Sequence, residues 1–411
     1  MADTGVVDSQ DQFKIFSRAS RANPQAIYAR MREEAPVHCV VGPATGGHYW
    51  FITRYQDCVT ALKEPSIGKE FRKKLPPDLL QYYRQSDGAD AAANMMTNNM
   101  LFVDPPDHTR LRGLVHKAFT PKIIENLRPR IQTIADDLLD QMGDSGETDL
   151  ISSFAFPLPI TVIAELLGIP SSDQNQFRDW IRAMIFSRDQ DVVRTAGMEF
   201  VMYFHGMFDD RRKNPREDLL SNLVAVEEAG DKLDGQELMG MIFLLLIAGH
   251  ETTVNLIANG TLALLQNRDQ LEKLVNDPSL AGNAVEEILR YNGPIETATT
   301  RWAFEGIKVG GHELTLGDMV LIALASANRD PDVFPNPDQF DITRKEAFKH
   351  LGFGNGIHYC LGAPLARLEG ELALNALVQR LPHLELSVPV EDLEWNESIL
   401  LHGMTKMPIR Y

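Results

Sequence analysis

The spacing of apolar and polar positions predicts helices over much of the chain. Apolar residues recur at helical intervals in the stretches 123–142 and 160–167. The stretch 177–207 adds many Met, Phe and Trp residues, a composition typical of core packing. Strand patterns are short, and the best is 48–53, where aromatic and β-branched residues follow one another.

The longest apolar pattern begins after Asp234, which forms a capping-box signature with Glu237 and so predicts a helix start. The pattern runs to Asn267, about 33 residues, which gives a helix of roughly 50 Å. Because it is apolar on nearly every side, we expect it to be a buried central helix. Its continuous apolar run, 238–249, is shorter than the roughly 18 residues that a membrane span needs.

A polar sequence, Ala-Gly-His-Glu-Thr-Thr, interrupts this predicted helix at 248–253. Gly249 weakens a helix, and the residues after it put ionisable and hydroxyl groups into an apolar element. His250 and Glu251 begin the zinc-binding pattern H-E-x-x-H, but Val254 stands where the second histidine is required. We therefore reject a zinc site and interpret His250 as structural.

A glycine-rich sequence near the C-terminus contains one thiol, that of Cys360, shortly before a helical pattern. Gly352, Gly354 and Gly356 indicate a loop with positive φ angles or a close approach to a bound group. Amide groups and the dipole at a helix N-terminus stabilise a thiolate. Cys360 is therefore predicted to be a metal ligand or a nucleophile.

Three other interpretations of this loop remain open at this point. A lone cysteine is often a buried structural residue. The glycines suggest a phosphate loop, but Tyr359 stands where a third motif glycine would be, and no Lys-Ser or Lys-Thr pair opens the helix. His358 could act as a base for a cysteine nucleophile, although residues two apart in a turn need not face each other.

The sequence 353–363, Phe-Gly-Asn-Gly-Ile-His-Tyr-Cys-Leu-Gly-Ala, resembles the haem-binding loop of the soluble bacterial cytochrome P-450 family, the haem-thiolate monooxygenases. The resemblance implies that Cys360 is the metal ligand, binding the iron of haem b as a thiolate. It implies further that Phe353 shields the sulfur, that His358 meets a haem propionate, and that Gly362 belongs to the haem-contacting loop. The implied fold is mainly α with small β-sheets, with the haem between the long central helix and the cysteine loop.

Two further sequences carry the same resemblance. Ala248, Gly249, Glu251 and Thr252 match the family's oxygen-activation motif. There Ala248 and Gly249 would contact the haem, and Gly249 would make room for it. Thr252 would position water at dioxygen, and Glu251 would connect that water to bulk protons.

The string 104–112 resembles the family's propionate-binding helix. His108 and Arg112 are four residues apart and therefore share one helix face, a pattern that by itself more often indicates a solvated face. The resemblance implies that both residues contact the haem. Arg301, at the start of a strand-like pattern, is predicted to bind the second propionate.

Glu287 and Arg290 have the i, i+3 spacing of a helical ion pair and match the family's structural pair. The same pattern occurs at 125–128, so the spacing alone is not specific. The sequence departs from the family at Gln339, where many relatives have an arginine that completes the ion-pair triad. Arg329 is a candidate to support this region instead.

Length, charge and cysteine content limit the classes of function. No linker, charge run or change of composition divides the 411 residues, so we expect a single domain, 1–411. A net charge of −17 argues against nucleic acid or an anionic membrane as a partner. The three cysteines, Cys39, Cys58 and Cys360, are too few for a disulfide framework or a four-ligand zinc site. With no signal or anchor pattern in residues 1–16, a cytoplasmic protein is expected.

The resemblance implies insertion of one oxygen atom from O₂ into an apolar organic substrate such as a polyketide or macrolide, terpenoid or steroid. The irregular segment 74–100 and the stretch 177–207 are expected to enclose it. Since no flavin or nicotinamide motif is present, a ferredoxin and its reductase are expected electron donors, with Arg110, Lys117 and Arg367 as candidate contacts. A monomer is expected. Two alternatives remain: a peroxide-driven haem-thiolate enzyme and a catalytically silent binding protein of the same family.

Overall fold

The computed structural model describes residues 12–17, 23–41, 48–74, 98–116, 119–187, 189–228 and 233–411. Helices dominate these ranges, and the short strands lie mostly within residues 37–68 and 301–410. The helices are α1 Pro24–Glu34, α2 Tyr55–Lys63, α3 Phe71–Lys74, α4 Asp107–His116, α5 Pro121–Glu125, α6 Arg128–Met142, α7 Pro157–Leu166, α8 Gln174–Phe186, α9 Gln190–Lys213, α10 Leu219–Glu228, α11 Gly235–Gln266, α12 Arg268–Asn276, α13 Ala281–Asn292, α14 Leu324–Ala327 and α15 Ala363–Arg380.

The strands form three small sheets. The first has the order β1-β2-β8-β5-β3, in which β2 and β8 are parallel and the other pairs antiparallel. The second has the order β4-β10-β9, and the third is the antiparallel pair of β6 and β7. The strands are β1 Val37–Val41, β2 His48–Ile52, β3 Ile67–Gly68, β4 Glu147–Asp149, β5 Arg301–Ala303, β6 Ile307–Val309, β7 His312–Leu314, β8 Met319–Ile322, β9 Glu385–Leu386 and β10 Pro408–Arg410.

The long helix α11 has the predicted ends. The Asp234 side chain accepts hydrogen bonds from the amides of Gln236 and Glu237, and the Glu237 carboxylate accepts one from the Asp234 amide. Of its 32 residues, 23 are buried. By length and composition α11 could cross a membrane, but 78% of its most apolar window is buried inside the protein. It is therefore the central core helix that the sequence predicts.

Elsewhere the structure refines the predicted elements. The stretch 123–142 forms two helices, α5 and α6, because the chain turns at Asn126 and Leu127 before α6 begins. Helix α7 starts three residues earlier than the predicted stretch 160–167, with Pro157 and Pro159 in its first turn, where a missing N–H breaks no helical hydrogen bond.

Core packing accounts for most of the aromatic stretch 177–207. Phe200 is fully buried, with its ring centroid 4.7 Å from that of Phe204 and 6.0 Å from that of Phe243 on α11. Met198 and Met202 are instead 53% and 66% exposed, on the outer face of α9. Helix α9 thus packs on the central helix through its aromatic side, and α8 packs on α9 through the ring of Phe177.

Candidate functional site

The glycine-rich loop presents Cys360 at the N-terminus of α15. The Cys360 amide donates to the carbonyl of Phe353 at 2.9 Å, which closes the loop through its own backbone. Gly354 and Gly356 have φ angles of +72° and +75°, which side chains disfavour. A Cβ on Gly356 would also lie 2.7 Å from the Leu62 carbonyl oxygen. The loop conformation therefore depends on glycine at these two positions.

The surroundings of the sulfur favour a metal-bound thiolate over a free one. Burial raises the pKa of the Cys360 thiol, while the Gly362 amide, the Arg112 guanidinium and the Ala363 amide lower it. The stabilisation predicted for a helix N-terminus is present, but burial outweighs it. A metal cation would deprotonate the thiol outright. A Cβ on Gly362 would lie 3.9 Å from the sulfur, so this residue borders it.

The aromatic ring of Phe353 lies beside the cysteine loop. The Arg367 guanidinium stands 4.6 Å from the Phe353 ring centroid, in cation–π geometry. The ring is also 6.3 Å from that of Tyr359. Phe353 is thus held in place on both sides.

Four predicted haem contacts from three parts of the chain lie close together. His108 and Arg112 come from α4, Arg301 from β5 and His358 from the cysteine loop. The His108 and His358 ring centroids are 4.4 Å apart. Three buried polar atoms of this group have no partner among the described residues: Nε2 of His108, Nε2 of His358 and Nε of Arg301. Donors left unpaired in this way are suited to an anionic ligand.

Lys69 joins this cluster, and the sequence did not indicate it. Its buried ammonium donates to the Thr299 carbonyl at 2.8 Å, to the Thr299 hydroxyl at 2.6 Å and to the Thr300 carbonyl at 2.9 Å. Burial and then the charge of Arg301 lower its pKa well below the usual value, an effect that Asp104 opposes. A lone lysine after a two-residue strand has no spacing that would reveal it.

The basic groups repel one another. Burial lowers the pKa of His358 to about 2, together with the charges of Arg301, His108, Lys69 and Arg112. Burial also lowers the pKa of Arg301 to about 10. Two carboxylates would neutralise this cluster and accept its hydrogen bonds. The residues therefore fit the propionates of haem b, as the cysteine loop fits its iron.

The polar break in α11 has an accessible face. Ala248 is exposed and Gly249 and Thr252 are partly exposed, although the helix around them is buried. The Thr252 hydroxyl donates to the Ala248 carbonyl at 2.7 Å, which leaves its oxygen able to accept. A Cβ on Gly249 would meet Ile163 only at 3.8 Å, so protein packing alone does not demand glycine there.

Glu251 is a buried carboxyl with an unusual affinity for protons. It is 5% exposed, and its Oε2 has no partner among the described residues. Burial raises its pKa to about 7, and the Asn255 side chain opposes this rise. Glu251 can therefore take up and release a proton near neutral pH.

His250 is buried against the ring of Phe156, with the ring centroids 4.3 Å apart. Burial lowers its pKa to about 3, so the imidazole is neutral at physiological pH. The part of the chain that the structure describes contains no cluster of three or more His, Cys, Asp or Glu side chains suited to a metal ion.

The Glu287–Arg290 pair is fully buried. Arg290 Nε lies 2.7 Å from Glu287 Oε2, and both side chains are 0% exposed. The same E-x-x-R pattern at Glu125 and Arg128 also forms an ion pair, but with side chains 61% and 37% exposed. The two motifs have the same sequence spacing and differ in how deeply their side chains are buried.

Arg344, not Arg329, supplies the second cation at Glu287. Arg344 Nε lies 3.2 Å from Glu287 Oε1. Gln339 takes part through its backbone carbonyl, which accepts from Arg290 and Arg344. Arg329, the residue expected to support this region, does not pair with Glu287: its guanidinium lies 3.6 Å from the Tyr291 ring centroid, donates to the Tyr291 carbonyl at 2.7 Å and pairs with Asp338.

Two of the three cations proposed to contact a ferredoxin already have partners within this chain. Arg110 pairs with Glu237 and Asp107, and Arg367 pairs with Glu286. Lys117 lies outside the described residues, as does most of the irregular segment 74–100.

Comparison with known proteins assigns the family. The family model described as Cytochrome P450 matches residues 160–406. The chain is 44% identical over 391 residues to the polyketide biosynthesis cytochrome P450 PksS of Bacillus subtilis (strain 168), covering 94% of this chain and 95% of that protein. It is 45% identical over 393 residues to the cytochrome P450 monooxygenase PikC of Streptomyces venezuelae, covering 95% and 91%. Its structure matches the crystal structure of myxobacterial cytochrome P450 CYP267B1 in complex with myristic acid with a TM-score of 0.88 and 46% identity, covering 97% and 98%.

These matches extend over nearly the whole length of both chains. They confirm the predicted fold class, mainly α with small β-sheets, and the predicted cofactor, haem b. Its relatives are named as bacterial monooxygenases and biosynthetic enzymes. The chain therefore belongs to the cytochrome P450 family and is a haem-dependent monooxygenase.

Proposed function

We propose that this enzyme inserts one oxygen atom from O₂ into a medium-sized or large apolar substrate, by hydroxylation or epoxidation. The observation that carries the proposal is the pairing of Glu251 with Thr252. A buried carboxyl with a pKa of about 7 stands next to a hydroxyl on the accessible face of an otherwise buried helix. Such a pair suits a reaction that needs protons delivered one at a time inside an apolar core.

Haem b supplies oxygen binding and the oxidising chemistry, which the protein directs through ligation, hydrogen bonding and burial. Cys360 would hold the iron through its sulfur, with its loop rigidly closed at Phe353. The basic cluster would orient the cofactor by charge-assisted hydrogen bonds to both propionates. The proposed haem contacts are His108, Arg112, Ala248, Gly249, Arg301, Phe353, His358, Cys360 and Gly362. Lys69, whose three N–H groups already have partners within the chain, would contribute its positive charge without a direct contact.

Thr252 and Glu251 deliver the protons. The Thr252 hydroxyl can donate to the Ala248 carbonyl and accept at the same time, so it can hold a water molecule on the accessible face of α11. Glu251 can pass a proton to that water and then regain one from solvent. The apolar helix around them keeps other water from the site, which favours product over wasted reductant.

An apolar substrate fits the surroundings of the accessible face. Leu244, Leu245 and Ile247 precede Ala248 on α11, and the aromatic side of α9 packs on the same helix. One relative is named for polyketide biosynthesis, and another was crystallised with myristic acid. We propose a polyketide or macrolide first, with terpenoids and steroids as further candidates.

We propose a ferredoxin and its reductase as electron donors. We also propose that the protein is cytoplasmic and monomeric, with residues 1–411 in one haem-binding domain.

Replacing Thr252 by Val tests the mechanism. With redox partners and a substrate, this variant should bind haem and consume reductant normally, but release more hydrogen peroxide and less oxidised product. Thr261→Val is a matched control, because Thr261 makes the same bond to the carbonyl four residues earlier, at 2.8 Å, farther along α11. It should keep normal coupling. Full coupling in Thr252→Val would remove the hydroxyl from the mechanism. If the unmodified enzyme forms product faster from hydrogen peroxide alone than from O₂ with redox partners, the peroxide-driven alternative is favoured.

A further inference from the structure

Three buried polar side chains form a row on one face of α11, one turn apart. Glu251, Asn255 and Asn259 are 5%, 1% and 0% exposed. Residues four apart lie above one another on a helix, so the row spans about 12 Å. Each side chain has one buried polar atom without a partner of hydrogen-bond geometry among the described residues: Oε2 of Glu251, Nδ2 of Asn255 and Oδ1 of Asn259. The Asn255 side chain is nevertheless close enough to Glu251 to oppose the rise of its pKa. Donor and acceptor atoms alternate along this Glu251–Asn259 row.

The loop around His402 and Gly403, here called the C-terminal loop, lies directly over the row. A Cβ on Gly403 would collide with the Asn255 amide, so glycine allows this close approach. The Asn259 amide nitrogen donates to the carbonyls of His402, at 2.9 Å, and Asn292, at 3.2 Å. The His402 ring Nε2 lies 3.1 Å from the Asn292 side-chain oxygen. The far end of the row thus contacts His402 and Asn292 directly.

These two residues also line a cavity of about 90 Å³. Its wall includes Gln25, whose side-chain oxygen has no partner among the described residues, and its rim includes the exposed Asn23. A polar cavity of this size has room for several water molecules. The row therefore begins at the proton-active carboxyl and ends at Asn259, which contacts two residues that line a polar cavity near the surface.

We propose that the Glu251–Asn259 row and this cavity form the path by which Glu251 regains protons from solvent. Buried polar atoms left without protein partners are ordinarily satisfied by ordered water, and alternating donors and acceptors suit a chain of such waters. For each proton that Glu251 gives up toward Thr252, one enters at the cavity, so the protein gains and loses none. The inference rests on the proposed function, because it assigns the supply of protons to the same site.

The alternative is that the row only anchors the C-terminal loop. The two hydrogen bonds of Asn259 to backbone carbonyls would serve that purpose by themselves. They do not explain the unpartnered atoms of Asn255 and Glu251, because an anchoring residue should have its polar atoms paired. An experiment must therefore measure proton movement as well as stability.

Asn255→Leu tests the path, since it replaces the amide by an apolar side chain of similar size. Asn375→Leu is a matched control: Asn375 on α15 also has a buried amide oxygen without a partner among the described residues, but lies outside the row. Two measurements apply to each haem-loaded variant. One is turnover in H₂O and D₂O with redox partners. The other, without substrate, is the rate of hydrogen–deuterium exchange of the Glu251 carboxyl, followed by its infrared carbonyl band and assigned with Glu251→Gln.

We expect Asn255→Leu to lower turnover roughly three- to tenfold, the effect of losing one bridging hydrogen bond. The solvent isotope effect should increase and carboxyl exchange should slow, whereas Asn375→Leu changes neither. The double variant with Glu251→Gln should be no slower than Glu251→Gln alone, because both act on one path. Unchanged exchange and isotope effect in Asn255→Leu, or independent effects in the double variant, would overturn the proposal.

A third measurement needs no substitution. A high-resolution crystal structure of the haem-loaded protein should show ordered water at the three unpartnered atoms of the row, and a dry row would overturn the proposal even if Asn255→Leu fails to fold. Failure of the proposed function itself gives a different result: the unmodified enzyme forms no oxidised product from any substrate, while carboxyl exchange still reports on the path.

Discussion

Replacing Glu251 by Gln should change the way the free energy of unfolding depends on pH. Burial raises the pKa of the Glu251 carboxyl from its usual 4.5 to about 7. The folded protein therefore retains this proton at pH values where the unfolded chain has released it. Stability from this group is complete below about pH 4.5 and is lost as the pH rises through about 7.

The size of the effect follows from the shift. A change from 4.5 to about 7 corresponds to about 3 kcal/mol in total, at about 1.4 kcal/mol per pKa unit. About 2 kcal/mol of it falls between about pH 5.5 and 8. Glutamine has no such proton to lose. The free energy of unfolding of Glu251→Gln, relative to the unmodified protein, should therefore increase by about 2 kcal/mol over that range.

Denaturant unfolding of both haem-loaded proteins at a series of pH values measures this difference. Comparing the two at each pH cancels the contributions of haem binding and of all other titrating groups. Glu251→Asp keeps a carboxyl in the same place and should preserve the sign of the pH dependence. Parallel curves for Glu251→Gln and the unmodified protein would show that the folded state does not hold this proton, and would refute the assignment of Glu251 as a proton donor near neutral pH.

Three further predictions concern the cofactor and the core. Cys360→Ser should abolish the red-shifted Soret band of the reduced carbon monoxide complex, while Cys39→Ser keeps it; survival of the band in Cys360→Ser would contradict thiolate ligation. Arg301→Ala should weaken haem retention by about 1.5–3 kcal/mol with the Soret position unchanged. If the variant and the unmodified protein transfer haem to apomyoglobin at equal rates, Arg301 does not bind the haem. Glu287→Ala should lower the free energy of unfolding by about 3–5 kcal/mol, because it leaves buried cations unpaired. Glu125→Ala, in the exposed copy of the motif, should change stability little.

Local sequence determined the elements whose chemistry is local. The capping box at Asp234 and the apolar pattern after it were sufficient to predict α11 almost to the residue. The glycines before Cys360 predicted a loop with positive φ angles, which Gly354 and Gly356 have. Such features depend on backbone conformation and on neighbours within a few residues, so they can be predicted from the sequence.

Tertiary structure alone decided which distant residues meet and which are buried. Lys69 joins the basic cluster, and Arg344 pairs with Glu287, because strands and loops far apart in sequence converge at these places. The pKa of Glu251 is raised by burial, which no residue type or spacing encodes. The row from Glu251 to Asn259 was present in the sequence as an i, i+4 pattern, but its unpartnered atoms and its contact with the C-terminal loop depend on packing. Desolvation and long-range contact are properties of the folded chain, and for that reason the sequence by itself did not determine them.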